Sequence, residues 1–273
     1  QSSFKNICKL ISEIDFYTKL KHICCEHKID FMTTFFSVDL VRSMGHLVSR
    51  HKISSSDLTN KMLIEEIVSQ GKPIIASVGA SSIDEIQDFT SFIFNLDPNI
   101  DLTIMHCVLN YPTPIENSQL SFIKNLQEEF GNDVGYSDHT IGSEAVSLAI
   151  ALGARVIEKH FTLDKNFSDF RDHQISCDPQ EMKAYCETIR LSEVLLGSGK
   201  KRLLKCEEAT HAAARRSLVT ARDLPAGHVL QWNDFAWLRP GGSTAPGMED
   251  NLLGKKLKNS LSAGCSINLG LVE

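Results

Sequence analysis

Two short stretches near the middle of the chain hold residue types able to bind a metal ion. They are Gly135-Tyr136-Ser137-Asp138-His139-Thr140 and Glu158-Lys159-His160-Phe161-Thr162. Each follows a β-branched or apolar run and puts a histidine where a strand runs out. The segment between them, Ser143 to Gly153, reads as a helix. Histidines that end two consecutive parallel strands stand side by side over one cavity. Neutral imidazoles suit a divalent transition ion, and two protein ligands leave positions open for substrate and water. Asp138 either orients the adjoining loop from behind the ligands or simply caps it. Ordinary polar residues at strand ends would read the same way.

A second group of residues points to an anion. Ser55, Ser77 and Ser137 each lie just past a strand-like run, near glycine or other small residues. Hydroxyls and free backbone N–H groups at such ends cradle phosphate, and Lys52 adds a point charge. The carboxylates Asp57, Glu158 and Asp172 stand near the same rim. Asp172 ends a charged loop, Asp164–Asp172, long enough to reach over a barrel mouth, although a solvated loop reads alike. Tyr111-Pro112-Thr113-Pro114 makes a rigid turn, and Tyr111 either stacks on a sugar or packs.

The elements that must position these residues alternate. Strand candidates are Ile29–Phe35, His51–Ser54, Pro73–Ser77, Asp101–Cys107, Asp133–Gly135 and Ala154–Lys159. Helical spacing fills Thr59–Gln70, Ser82–Phe94, Ser118–Phe130, Ser143–Leu152 and Asp178–Leu196. Asp178 before Pro179, with Glu181 following, predicts an N-cap, and Gly197 and Gly199 end that helix. Such alternation implies a parallel sheet, either doubly wound or a (βα)8 barrel. A doubly wound sheet gathers its polar residues at one switch point. Here Thr34, Ser55, Ser77, Tyr111, Ser137, His139 and His160 spread over every strand, which favours a barrel, though only about six of its eight βα units are legible. After Lys200-Lys201-Arg202 the pattern changes to short strand-like runs, Ser217–Thr220, Ala236–Leu238 and Ser266–Leu269, between glycine-rich turns. This second, β-rich module of about sixty residues is too small to be more than marginally stable alone.

Composition narrows the class. A net charge of −6 with no basic run excludes a nucleic-acid surface, and no apolar stretch nears the ~20 residues of a membrane span. Lys5, Lys9, Glu13 and Asp15 interrupt the opening, against a secretory leader. The eight cysteines are scattered, with no CxxC pair, which implies reduced thiols in the cytoplasm.

In this order, His106-Cys107 with Tyr111-Pro112-Thr113-Pro114, the two histidine stretches, and Asp172-His173 with Ser176 resemble the sialic acid synthase family. That family includes N-acetylneuraminate, legionaminic acid and pseudaminic acid synthases. Lys52-Ile53-Ser54-Ser55-Ser56-Asp57-Leu58-Thr59-Asn60 is similar to its Lys-Ile-x-Ser-Gly-Glu/Asp-Leu-Thr-Asn segment, and Ser77-Val78-Gly79 to its Ser-Thr-Gly turn. Arg216-Ser217-Leu218 and Arg239-Pro240-Gly241-Gly242 resemble parts of the antifreeze-like SAF domain.

The resemblance implies a TIM-barrel synthase domain over 1–205 and an SAF (β-clip) domain over 206–273. It implies a transferase that condenses phosphoenolpyruvate with the aldehyde of an N-acetylated hexosamine, giving a nine-carbon 2-keto acid and phosphate. His139 and His160 would hold Mn2+ or another divalent ion, with Asp57 the third residue of the catalytic set. Thr34, Lys52, Ser55, Ser77 and Ser137 would hold phosphoenolpyruvate. Asp57, Tyr111 and Asp172 would contact the sugar. Arg239 would reach the sugar from a partner subunit, in a domain-swapped homodimer. Three departures accompany the match. Leu109 stands where neuraminate-forming members have asparagine, with Asn110 shifted by one. Phe35 replaces a proline. The family's first two strands find no counterpart, so the expectation is a barrel lacking them, in a fragment or a degraded copy with little catalysis. Two other readings stay open: a different metal-dependent lyase or aldolase on the same barrel, and a non-catalytic sugar-binding or oligomerisation protein.

Overall fold

The computed structural model describes residues 14–131, 133–242 and 244–273; the charged opening of the chain, residues 1–13, lies outside them. Contacts divide the chain into two compact units, the first ending at Ser198 and the second running Gly199–Glu273.

In the first unit, helices α1 (Ile14–Glu26) and α2 (Val38–Met44) precede the sheet. Five strands follow: β1 (His51–Ile53), β2 (Ile74–Ser77), β3 (Leu102–Cys107), β4 (Asp133–Asp138) and β5 (Val156–Lys159). All pair in parallel, in the order β1-β2-β3-β4-β5. The order never reverses, so there is no switch point of the doubly wound kind. The crossover helices are α3 (Lys61–Val68), α4 (Ile83–Leu96), α5 (Phe122–Phe130) and α6 (Glu144–Ala151). Beyond β5 come α7 (Arg171–Ile175) and α8 (Pro179–Leu196). The expected start of α8 is present: Asp178 accepts from the Glu181 N–H at 2.8 Å, and Glu181 accepts in return from the Asp178 N–H at 3.1 Å.

The sheet is curled. In a flat sheet its edge strands, β1 and β5, would lie four strand spacings apart, roughly 19 Å. Yet Lys52 on β1 comes within 3.7 Å of Glu158 on β5. Two side chains cannot bridge that span unless the strands wrap around a common axis. Register climbs around the curl: Lys52 pairs with Ile75, Ser77 with Met105, Cys107 with Ser137, and Ser137 with Glu158. Gly135 lets it close tightly, since a Cβ there would come within 2.6 Å of both the Met105 side chain and the Val156 carbonyl. The outer face of the sheet carries Ile53, Ile74, Ala76, Ile104, Val134 and Tyr136 into a core shared with the helices. Apolar positions three and four apart, such as Leu63, Ile64 and Ile67, seal each helix onto it.

Two expected strands are corrected. Ile29–Phe35 contributes one parallel bridge, Thr34 to Lys52, rather than a strand. Among the described residues it pairs with β1 at that one position, and the chain turns into the Ser37 cap of α2 three residues later. Ser266–Leu269 likewise makes a single antiparallel bridge, Val219 to Ser266, before Asn268 turns the chain into a 3-10 turn at Leu269–Leu271.

One buried group makes stability pH-dependent. His51 is fully buried, and burial, then the nearby Lys72 cation, pushes its pKa down to about 4. The unfolded chain binds this proton near pH 6.5 and the folded chain does not, so stability drops as pH falls from about 6.5 to 4. At about 1.4 kcal/mol per unit, the loss is about 3 kcal/mol. His51→Leu is expected to remove that part of the acid slope in urea unfolding measured between pH 7 and 4. An unchanged slope would mean that His51 is not held neutral.

The second unit holds α9 (Glu208–Ala214) and an antiparallel pair, β6 (Ser217–Thr220) with β7 (Phe235–Leu238). Leu218, Leu224, Leu230, Phe235, Leu252 and Ile267 are part of its own core. Buried Asp234 ties its turns together, accepting from Arg222 and from His228, each at 2.7 Å. Among the described residues, no helix is long and apolar enough to cross a membrane.

Candidate active site

Side chains alternate across a strand, so residues two apart share a face. Ser137 and His139 therefore point inward together, as do Glu158 and His160, Cys107 and Leu109, and Lys52 and Ser54. All eight line one cavity of about 380 Å³ at the C-terminal ends of the strands, with Thr34, Phe36, Ser55, Ser56, Ser77 and Tyr111. Nine of the residues singled out in the sequence meet there: Thr34, Lys52, Ser55, Ser77, Tyr111, Ser137, Glu158, His139 and His160.

The cavity has two ends of different chemistry. At one, the Lys52 ammonium donates to Ser77 Oγ at 2.8 Å and to the Ile53 carbonyl at 3.0 Å. Burial lowers the Lys52 pKa, and Glu158 opposes that shift. Ser137 donates to Glu158 Oε1 at 2.7 Å, while Ser55 Oγ accepts from the Gly79 N–H at 2.9 Å. A cation, hydroxyls and a carboxylate thus converge. At the other end the His139 and His160 rings lie 5.2 Å apart, nearly perpendicular at 73°. Burial lowers both their pKa values, which favours the neutral, ligand-competent imidazole. The Val108 carbonyl lies 2.9 Å from His139 Nδ1, and a carbonyl only accepts, so Nδ1 carries the proton and Nε2 keeps its lone pair. Tyr111 stacks on His139 at 4.2 Å and meets His160 edge-on at 5.6 Å.

Asp57 does not line the cavity. Its carboxylate accepts from Ser54 Oγ at 2.7 Å and from Asn60 Nδ2 at 3.3 Å, bracing the turn that carries Ser55. Asp172 also lies outside the lining, near enough to help raise the Tyr111 pKa behind the larger effect of burial. Arg239 is exposed just past β7, in the second unit. Leu109 faces the cavity and Asn110 does not; the Asn110 side chain accepts from the Tyr111 N–H at 3.1 Å instead.

Cys107 and Arg171 carry no site role in the sequence reading, and Glu158 figures there only as a carboxylate near the rim. Glu158 sits two before His160, and the strand period alone could have put it inside. Cys107 is two before Leu109 by the same rule, its sulfur 3.8 Å from His139 Nδ1. Arg171 carries no such signal: its guanidinium lies 4.7 Å over the Tyr111 ring, brought there by the loop after β5.

Residues 2–201 match the model of the NeuB family, and 215–273 that of the SAF domain. The chain is 37% identical to the N,N'-diacetyllegionaminic acid synthase of Legionella pneumophila over 94% of this chain and 73% of that protein. Among solved structures, the spore coat polysaccharide biosynthesis protein E of Chromobacterium violaceum superposes with a TM-score of 0.84 at 26% identity, covering 96% of this chain and 79% of that one. The N-acetylneuraminic acid synthetase of Leptospira borgpetersenii, solved with citrate, superposes with a TM-score of 0.69 at 30% identity, covering 73% of this chain and 69% of that one.

Proposed function

We propose a function from one premise: the chain belongs to the NeuB family. Its curled sheet is read as the larger part of a (βα)8 barrel, followed by an SAF domain. On that scaffold the chain is a sialic-acid-type synthase. It joins phosphoenolpyruvate to the aldehyde of an N-acetylated hexosamine, such as N-acetylmannosamine or a diacetamido relative. Water is consumed and phosphate leaves: a bond forms between C3 of phosphoenolpyruvate and the aldehyde carbon, water adds at C2, and the C2–O bond to phosphate breaks. The observation that supports this most directly is one cavity with a lysine and serines at one end and two histidines at the other.

Lys52, with Thr34, Ser55, Ser77 and Ser137, would bind the phosphate and carboxylate. Glu158 would hold Ser137 and balance the Lys52 charge before substrate arrives. Tyr111 presents a flat, partly apolar wall at the histidine end, where the sugar would lie, with Arg171 stacked behind it. Asp57 and Asp172 would act on the sugar from the rim, and Arg239 would reach it from a partner protomer's second unit, in a homodimer. The donor set fits an open divalent-metal site. His139 and His160 would hold the ion, two imidazoles that leave positions open for substrate and water. Such an ion, Mn2+ for example, supplies Lewis-acid polarisation of the aldehyde and orients water.

A non-catalytic sugar-binding role is less well supported, because it gives no use for the lysine–serine end of the cavity. The deciding assay is phosphate release by the full polypeptide, with phosphoenolpyruvate and a panel of N-acetylated hexosamines supplied singly and together. Release is expected only when both are present. Turnover of the sugar without phosphoenolpyruvate would refute the reading in favour of another lyase or aldolase, and sugar binding without any turnover in favour of a binding protein.

A further inference from the structure

On the helix side of the sheet, directly behind the two histidines, lies a buried charge cluster that the proposed chemistry does not use. Asp138 and Lys159 precede His139 and His160, so strand alternation turns them away from the cavity. Lys159 Nζ and Asp138 Oδ2 are 3.0 Å apart, with side chains only 3% and 0% exposed. Tyr185 of α8 donates to Asp138 Oδ2 at 2.7 Å, and its ring lies 5.4 Å from the Lys159 ammonium. Tyr136 donates to Asp138 Oδ1 at 3.2 Å. The remaining bonds reach around His139. The Thr140 N–H and hydroxyl donate to Asp138 Oδ1 at 2.8 and 2.7 Å, and Lys159 Nζ donates to the Thr140 carbonyl. Backbone on both sides of His139 is thereby tied to the residue that precedes His160.

A buried ion pair is a poor source of stability, because desolvation offsets most of its attraction and a well-packed apolar pair would hold the layers as well. What the pair does add is direction. Each bond fixes an angle, and both partners sit one residue from an imidazole. We propose that Asp138, Lys159 and Tyr185 form a positioning staple that sets the separation and orientation of His139 and His160, and through them the affinity for a divalent ion. This rests on the reading of the two histidines as a metal site. Without the staple, the ends of β4 and β5 are held to each other only by their backbone pairing, which runs out at Asp138 and Lys159, so the two imidazoles just beyond it are less firmly oriented when an ion binds.

The test is Mn2+ affinity, read from the spectrum of free Mn2+ in titrations of the full polypeptide, with Asp138→Asn and Tyr185→Phe against wild type. Melting curves on the same samples establish the folded fraction. Phosphoenolpyruvate binding without metal serves as a control, since Lys52 and its serines lie on the opposite face. Partners that orient metal ligands typically contribute 10- to 100-fold in affinity. Asp138→Asn is expected to weaken Mn2+ binding by about that factor. Tyr185→Phe should act in the same direction by a smaller factor, and neither should alter phosphoenolpyruvate binding. A lowered melting temperature with unchanged Mn2+ affinity of the folded protein would overturn the staple, leaving a purely structural cluster. If Asp138→Asn does not fold, Tyr185→Phe, which deletes one hydroxyl, decides by the same criterion. Wild-type binding that is abolished by His139→Ala but untouched by both staple variants sinks the staple alone. Failure of wild type to bind Mn2+, or binding that survives His139→Ala, overturns the metal reading and the staple together.

Discussion

Replacing His139 or His160 by alanine is expected to abolish metal-dependent phosphate release while leaving the protein folded. A Lewis acid at a developing alkoxide contributes several kcal/mol to the barrier, so turnover should fall by about a thousandfold or more. The fold should survive because neither residue belongs to the core shared by sheet and helices; both line the cavity. His139 contributes one bond to the Val108 carbonyl, and Tyr111 packs against both rings, so local loosening near Tyr111 is the structural consequence to expect. The measurement is phosphate release across a Mn2+ titration, with a melting curve for each variant. Full activity in either variant would show that the two imidazoles do not hold the ion. Loss of activity with loss of folding would not distinguish the roles, so the more conservative His160→Asn is the companion to make.

Lys52→Met is expected to raise the KM for phosphoenolpyruvate by roughly a hundredfold, with a much smaller change for the aldose. Truncating one partner of a buried, hydrogen-bonded charge pair costs about 2–5 kcal/mol. The lower part of that range applies here, because several serines remain at the same end of the cavity. Methionine keeps an unbranched apolar side chain one heavy atom shorter than lysine, and removes the charge and the donors. Stability should change little: the Glu158 side chain is 42% exposed and can stay hydrated when its cation is gone. Steady-state kinetics with each substrate varied in turn checks the prediction. A rise in the aldose KM alone would place Lys52 at the sugar end and reverse the proposed orientation of the two substrates.

Much of this was legible from residue types and local spacing. Alternation of β-branched runs with helical periods points to parallel pairing, because a crossover helix carries the chain back to the end of the sheet where the first strand began. The capping residues of α8 are local chemistry, readable from Asp178, Pro179 and Glu181 alone. That His139 and His160 stand where consecutive strands run out was readable from residue order, although β4 runs on to Asp138, three residues beyond the expected end at Gly135. Residue order also carried the family, since the motifs are short and lie at strand ends where backbone position constrains side-chain type.

Tertiary structure decided what depends on distances between elements far apart in sequence. That β1 and β5 approach closely enough for Lys52 to face Glu158 follows from the curl of the sheet, which no local period encodes. That Ile29–Phe35 pairs at a single position, Thr34 with Lys52, was not legible from its own apolar residues. Asp57, a good candidate by motif, is turned onto its own turn by Ser54 and Asn60, whose hydroxyl and amide compete for a carboxylate at close range. Arg171 reaches Tyr111, and Tyr185 reaches Asp138 across 47 positions, only because loop and helix are folded back against the strands. Which side chains each strand end offers could be read from residue order; which of them share a cavity could not, because hydrogen bonds and ring contacts act over a few ångströms while the residues that make them are separated by whole elements.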